Sequence, residues 1–230
     1  MSQASPTVKA LASPHHRTPV IAIVGAGPRL GLAIARTFGE RGFSVAFLSR
    51  SPSELKPAVE ELAGRGVEAA AFYADVFDGS SIVSGLSAVK RRFGRIDVLE
   101  FSPVDCALLP ASAEPINDHD LARTCFHLHS AITAVKQVLP AMLARGSGTI
   151  LFTTGASSAC PRHDRDLLTV FARALHAAVA PDGVQVGHVG VGAFTGRRPG
   201  ATSEEVAPLY WELHTQREQV EKVFMTEAAM

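Results

Sequence analysis

Val20-Ile21-Ala22-Ile23-Val24-Gly25-Ala26-Gly27-Pro28-Arg29-Leu30-Gly31 is the stretch on which the fold turns. An apolar, β-branched run that stops at glycine reads as a short buried strand. From Leu30 to Gly39 apolar residues recur at helical spacing, so the segment reads strand, tight turn, helix. Glycines at such a turn free the backbone for a sharp reversal. The helix that follows presents unpaired N–H groups and the positive end of its dipole, a ready site for a phosphate.

The same alternation continues outward. Phe43–Leu48, Val67–Tyr73, Ile96–Phe101, Thr149–Thr153 and Val184–Val189 read as further strands. Between them, Ser53–Leu62 (with Ser53 as cap and Pro57 early), Ser81–Phe93, Leu121–Leu143 and Leu167–Val179 read as helices. Strands alternating with helices predict an α/β class, a Rossmann-type doubly wound parallel sheet in a single domain over residues 20–200. Residues 1–19, rich in Ser, Pro and His, read as a disordered leader without the apolar core of a secretory signal. Residues 201–230, which carry Trp211 and Tyr210, read as a polar helical extension expected to pack over the C-terminal edge of the same sheet.

Composition narrows the partners. Apolar residues make up 47% and charged residues 19% of 230, a globular balance. Lys plus Arg equals Asp plus Glu at 22 each, so no long-range field gathers nucleic acid or anionic membrane. A small-molecule substrate is expected instead. No apolar run reaches the roughly 18 residues of a spanning helix. Cys106, Cys125 and Cys160 are far apart and lack metal-ligand spacing, so they read as reduced thiols of a cytoplasmic protein with no metal site.

Beyond the glycine turn, several landmarks across residues 20–200 resemble the short-chain dehydrogenase/reductase family. Ala74-Asp75-Val76 resembles its adenine-contacting Asp-Val. Val138-Leu139-Pro140-Ala141-Met142 and Gly148-Thr149-Ile150 resemble its LPxM and GxI stretches. Leu175, Pro181, Gly183, Val184 and Val186 resemble its run after the catalytic helix, and Val191-Gly192 stands where it has Pro-Gly. The resemblance implies a dinucleotide held by Gly25, Gly27, Arg29, Leu30, Gly31, Ser49, Arg50, Asp75, Val76, Ser102 and Pro103. Ser49-Arg50 replaces the acid that would bond a ribose 2′-hydroxyl, and an arginine there can pair with a 2′-phosphate, so NADP(H) is the expected cofactor. The family also pairs its two long helices, which implies a homodimer or homotetramer; here Ile132, Val135, Val138 and Leu139 form the apolar stripe of one of them.

The chain departs from that pattern where the chemistry should be. Arg29 stands at a fingerprint glycine, and Phe101-Ser102-Pro103-Val104 replaces Asn-Asn-Ala-Gly. His127 replaces the helix asparagine of the family's proton relay. The family's serine falls near Gly155, with Thr154 before it and Ser157 and Ser158 beyond. Counting back from Leu175 puts Pro161 at the tyrosine and Arg165 at the lysine. No tyrosine lies between Tyr73 and Tyr210, so only Tyr210, from the C-terminal stretch, is left to approach the site. One proton-transfer group is typically worth 10²–10⁴-fold in rate, so the family's standard mechanism is not expected.

His127, Thr154, Ser157, Arg165 and Glu100 remain as candidate catalytic residues. His127 titrates near working pH, whereas His129, two residues on, faces another side of the helix. Glu100 and Asp105 lie where doubly wound sheets bind ligands, as bases or as structural carboxylates. Cys160-Pro161-Arg162-His163-Asp164 gathers a thiol, an imidazole and a carboxylate, but adjacency in sequence more often marks a surface loop. Intact landmarks beside a missing triad predict an atypical enzyme on a small, largely apolar metabolite, working by non-redox acid/base chemistry such as isomerisation, cyclisation or elimination. An NADP(H)-dependent oxidoreductase with a substitute proton donor, or a non-catalytic NADP(H)- or metabolite-binding partner, are the alternatives.

Overall fold

The structure, a computed structural model, describes residues 18–103, 118–156, 167–192 and 202–224. Its strands are β1 (Val20–Val24), β2 (Ser44–Ser49), β3 (Ala69–Tyr73), β4 (Val98–Phe101), β5 (Gly148–Ala156), β6 (Val184–Gly192) and β7 (Glu221–Phe224). They form one sheet in the order β3-β2-β1-β4-β5-β6-β7, every neighbouring pair parallel. The helices between them are α1 (Leu30–Gly39), α2 (Lys56–Gly64), α3 (Gly79–Phe93), α4 (Asp118–Arg145), α5 (Leu167–Val179) and α6 (Ser203–Thr215). A parallel sheet is covered on both faces, which is why β1 is apolar at every position rather than at alternate ones, and buried throughout.

Two apolar layers follow. One holds Val20, Ala22, Val24, Leu99, Phe101, Ile150 and Phe152 under the buried stripes of α3, α4 and α5, such as Ile82, Leu86, Val135, Val138 and Ala172. The other holds Ile21, Ile23, Val45, Phe47 and Leu151 under α1, α2 and α6. The expected doubly wound fold is thus present, with differences at its ends. The helix expected from Ser53 begins as a 3-10 turn over Pro52–Leu55, and α2 starts at Lys56 with Pro57 in its first turn, where a missing N–H costs nothing.

The C-terminal stretch departs further from its sequence reading. Thr202 and Glu205 close a capping box that starts α6. This helix lies on the face of the sheet against α1, not over its edge: Trp211 meets Phe38 at 5.4 Å and Phe43 at 6.1 Å, both edge-on. Beyond it residues 216–224 are not helical, and they add β7 to the free edge of β6. The His188 N–H donates to the Val220 carbonyl at 2.7 Å, and the Gln185 side-chain amide donates to the Gln219 carbonyl at 2.8 Å. Four residues are too few for a periodic signal. The unpaired edge of β6 supplies the hydrogen bonds that make them a strand.

Candidate active site

The strand order runs outward from β1 to β3 on one side and from β4 to β7 on the other, so the crevice of the sheet opens at the C-terminal ends of β1 and β4. Gly25 leaves β1 with φ 82°, a left-handed conformation that side chains rarely adopt. A Cβ on Gly25 would sit 2.4 Å from the Cα of Pro103, so the loops after β1 and β4 pack backbone to backbone. The N–H groups of Gly25 and Ala26 both donate to the Leu48 carbonyl, at 3.0 and 3.1 Å, which fixes the turn against β2. Around Gly27 nothing among the described residues would meet a Cβ within 4 Å, and Gly31 is buried against Ala26.

Arg29 is the cap residue of α1. Its side chain is exposed and makes no capping hydrogen bond, so the long residue at a glycine position turns outward. Leu30 is half-buried beside it. At the end of β2, the Ser49 hydroxyl accepts from the Ser51 N–H at 3.2 Å, and the Arg50 guanidinium lies over the Phe77 ring, 5.5 Å from its centroid. After β3, Asp75 is held from both sides: its N–H donates to the Ser81 hydroxyl at 2.8 Å and its carboxylate accepts from the Phe77 N–H at 2.9 Å. The Val76 carbonyl accepts from Ser130 of α4 at 2.6 Å. The expected nucleotide-binding residues therefore line the C-terminal ends of β1 to β4.

Of the expected catalytic residues, the three that are described, His127, Thr154 and Glu100, do not gather as one group. Ser157 and Arg165 lie outside the described residues, as do Asp105, Cys106 and the segment from Cys160 to Asp164. His127 is half-buried on α4, edge-on to Phe101 with ring centroids 5.6 Å apart. Glu100 has no solvent exposure at all. It points to the α6 side of the sheet, where one carboxylate oxygen accepts from Ser102 at 2.8 Å and the other from Thr153 at 2.7 Å. Thr153 in turn meets the Tyr210 hydroxyl at 2.7 Å. Burial pushes the Glu100 carboxyl up to about 7, against the lowering effect of its two hydroxyl donors. Burial, and then the Glu100 charge, hold the Tyr210 phenol well above its ordinary range. Tyr210 does come in from the C-terminal stretch, but it arrives inside the core beneath the crevice, fully enclosed.

Thr154, the next residue of β5, turns to the opposite face. Its hydroxyl is 2.8 Å from Nε2 of His188 on β6. His188 is 1% exposed, with Thr169 of α5 at 3.4 Å from the same nitrogen and a Glu221 oxygen of β7 at 3.6 Å from Nδ1. Arg173 of α5 holds the other Glu221 oxygen. Neither His188 nor Glu221 was a sequence candidate. The readable signal was a histidine at an inward position of an apolar strand; Glu221 had none, because its place depends on β7 pairing.

Comparison with known proteins agrees with this frame. A family model described as short chain dehydrogenase matches residues 19–205. The chain is 35% identical over 139 residues to Oxidoreductase UcpA of Escherichia coli (59% of this chain, 51% of that one), and 31% identical over 142 residues to the 2,3-dihydro-2,3-dihydroxybenzoate dehydrogenase of Bacillus subtilis (61% and 53%). It thus spans about half the length of these relatives. Among solved structures, a metagenomic short-chain oxidoreductase in complex with NADP superposes with a TM-score of 0.70 at 21% identity, covering 90% of this chain and 96% of the other. L-Sorbose reductase from Gluconobacter frateurii, complexed with NADPH and L-sorbose, does so with a TM-score of 0.76 at 20% identity (90% and 95%). With the family model covering most of the sequence and the crevice built as described, the chain belongs to the short-chain dehydrogenase family.

Proposed function

We propose that this protein is an NADP(H)-dependent oxidoreductase that reduces the carbonyl or enone of a small, largely apolar molecule, with a proton donor other than the family's tyrosine. The observation that carries the reading is the phosphate cradle of the β1–α1 turn, with Arg50 placed at the end of β2. The residues fit the cofactor. Gly25 provides the left-handed turn, Gly27 leaves open space among the described residues, and the first turn of α1 has no side-chain cap competing for its N–H groups. Gly25, Gly27, Leu30 and Gly31 would hold the pyrophosphate, Arg50 the 2′-phosphate, and Asp75 and Val76 the adenine. When bound, the dihydronicotinamide supplies a hydride.

The oxidoreductase names of the curated relatives favour this reading over isomerisation, cyclisation or elimination, the chemistry first expected from the missing triad. Binding calorimetry of NADPH and NADH, on the protein and on Arg50→Ala, tests it. Micromolar NADPH affinity that falls about tenfold or more in the variant, with NADH unaffected, is expected for a lost charged pair of about 1.4 kcal/mol or more. No binding of either nucleotide at millimolar concentration would end the reading.

A further inference from the structure

The end of β5 carries two consecutive threonines, and strand alternation sends them to opposite faces. Thr153 is enclosed by Glu100 and Tyr210. Thr154 is half-buried, and its registered neighbour on β6 is Gly190, so no side chain stands beside it on that strand. It lies at the C-terminal end of the sheet, on the side of α4 and α5, immediately before the position of the family's serine. Behind it His188 meets Thr154 at 2.8 Å and Thr169 at 3.4 Å through Nε2, and its Nδ1 faces a Glu221 oxygen at 3.6 Å, within ion-pair range but beyond a hydrogen bond. Glu221 divides its two oxygens between His188 and Arg173, and its side chain is 19% exposed, so the line of groups ends at solvent.

We propose that Thr154, His188 and Glu221 form a hydroxyl–imidazole–carboxylate relay that donates the proton at the site, in the role the tyrosine plays elsewhere in the family. The inference rests on the oxidoreductase reading. Carbonyl reduction adds one hydride to carbon, from the dihydronicotinamide, and one proton to oxygen. Thr154 Oγ gives its proton to the carbonyl oxygen as it takes one from Nε2 of a His188 imidazolium. The ring is left neutral with its Nδ1–H toward Glu221. After product leaves, one proton from water entering the site returns through Thr154 Oγ to Nε2 and re-forms the imidazolium, while Glu221 faces Nδ1–H throughout, and the net uptake is a single proton per turnover. Thr154 is the group that touches substrate, and His188 and Glu221 act through it. Two features support this. A hydroxyl, an imidazole and a carboxylate in sequence is the arrangement by which proteins make a weak hydroxyl a proton-transfer group. The charged groups facing the His188 ring and its partner include Glu221 from β7 and Arg173 from α5; the Glu221 carboxylate offsets the imidazolium charge at Nδ1, and Arg173, on the other oxygen, reduces that offset without removing it.

The test combines spectra and kinetics on the intact protein. In long-range proton–nitrogen NMR of ¹⁵N-histidine-labelled protein without nucleotide, the ring signals lost in His188→Gln assign the residue. In Glu221→Gln the titration midpoint of those signals is expected to fall, and in Thr154→Val the Nε2 resonance is expected to move while Nδ1 stays. In NADPH oxidation with benzil as the carbonyl probe, Thr154→Val is expected to lower kcat 10²–10⁴-fold with NADPH affinity unchanged, and Thr154→Ser to recover most of it. The alkaline limb of the pH profile for reduction should move to lower pH with Glu221→Gln, a response that a merely structural residue would not give. Ring signals identical in the protein, Thr154→Val and Glu221→Gln, or a Thr154→Val kcat within threefold of the parent, would overturn the relay. Absence of NADPH binding would defeat the oxidoreductase reading alone, since the NMR signals are read without nucleotide.

Discussion

Replacing Glu100 by glutamine should make the protein more stable at pH 8 and leave it little changed at pH 5. The Glu100 carboxyl is fully enclosed and pushed from 4.5 up to about 7, so the folded protein keeps a proton there that the unfolded chain releases. Between those two values the unfolded state binds fewer protons, and stability falls as pH rises, at about 1.4 kcal/mol per pH unit. The stabilising contribution is complete below about 4.5 and is lost once pH passes about 7, a total of about 3 kcal/mol. Glutamine removes the titration and keeps the shape. Its oxygen can accept from one hydroxyl and its amide can donate to the other, so the contacts to Ser102 and Thr153 are re-formed in kind. Urea unfolding of both proteins at pH 5, 6, 7 and 8 reads the effect. With about 2.5 kcal/mol of the effect falling between pH 5 and pH 8 and a slope of roughly 2 kcal/mol per molar urea, the midpoints should separate by about 1.2 M more at pH 8 than at pH 5. A stability difference between the two proteins that stays constant across this range would refute the argument, because a fixed offset reports packing and not a proton.

Three other perturbations have worked directions. Gly25→Ala sets a Cβ against Pro103 in a left-handed turn, and should abolish nucleotide binding in calorimetry while also lowering Tm; retained micromolar affinity would contradict the cradle. Tyr210→Phe leaves Thr153 bonded to Glu100 and removes one buried hydrogen bond, so a loss of about 1 kcal/mol in urea unfolding is expected with NADPH affinity intact. Leu143 on α4 and Leu167 and Val170 on α5 are exposed apolar residues. If they lie in a homodimer or homotetramer contact of the kind the family makes, Val170→Glu should halve the mass read by light scattering; an unchanged mass places the contact elsewhere.

The fold was legible because its signal is repeated. Each βα unit shows an apolar run, a turn and a helical stripe, and an error of two residues at Val67 or Ile96 leaves the order of elements intact. The nucleotide end was legible for a similar reason: a glycine that must take a positive φ, as Gly25 does, is written into the local sequence. The C-terminal stretch was not. Glu221–Phe224 becomes a strand only because β6 offers an unpaired edge, and nothing within four residues announces that.

The polar interior was hidden for a different reason, and Thr153-Thr154 shows it. Period-two alternation alone says that the two hydroxyls face opposite ways, but it names no partner for either. One partner set, Glu100 and Tyr210, comes from β4 and α6; the other, His188 and Glu221, comes from β6 and β7. Every one of these contacts crosses at least 33 residues of sequence, and two of the four partners belong to the C-terminal stretch, whose place in the fold is set by tertiary pairing. Counting tyrosines along the chain shows that none lies between Tyr73 and Tyr210, whereas the polar partners of Thr153 and Thr154 come together only when β7 and α6 are docked. The proton donor proposed above would come from the sheet itself, because Thr153 and Thr154, near the end of β5, set hydroxyls on both of its faces.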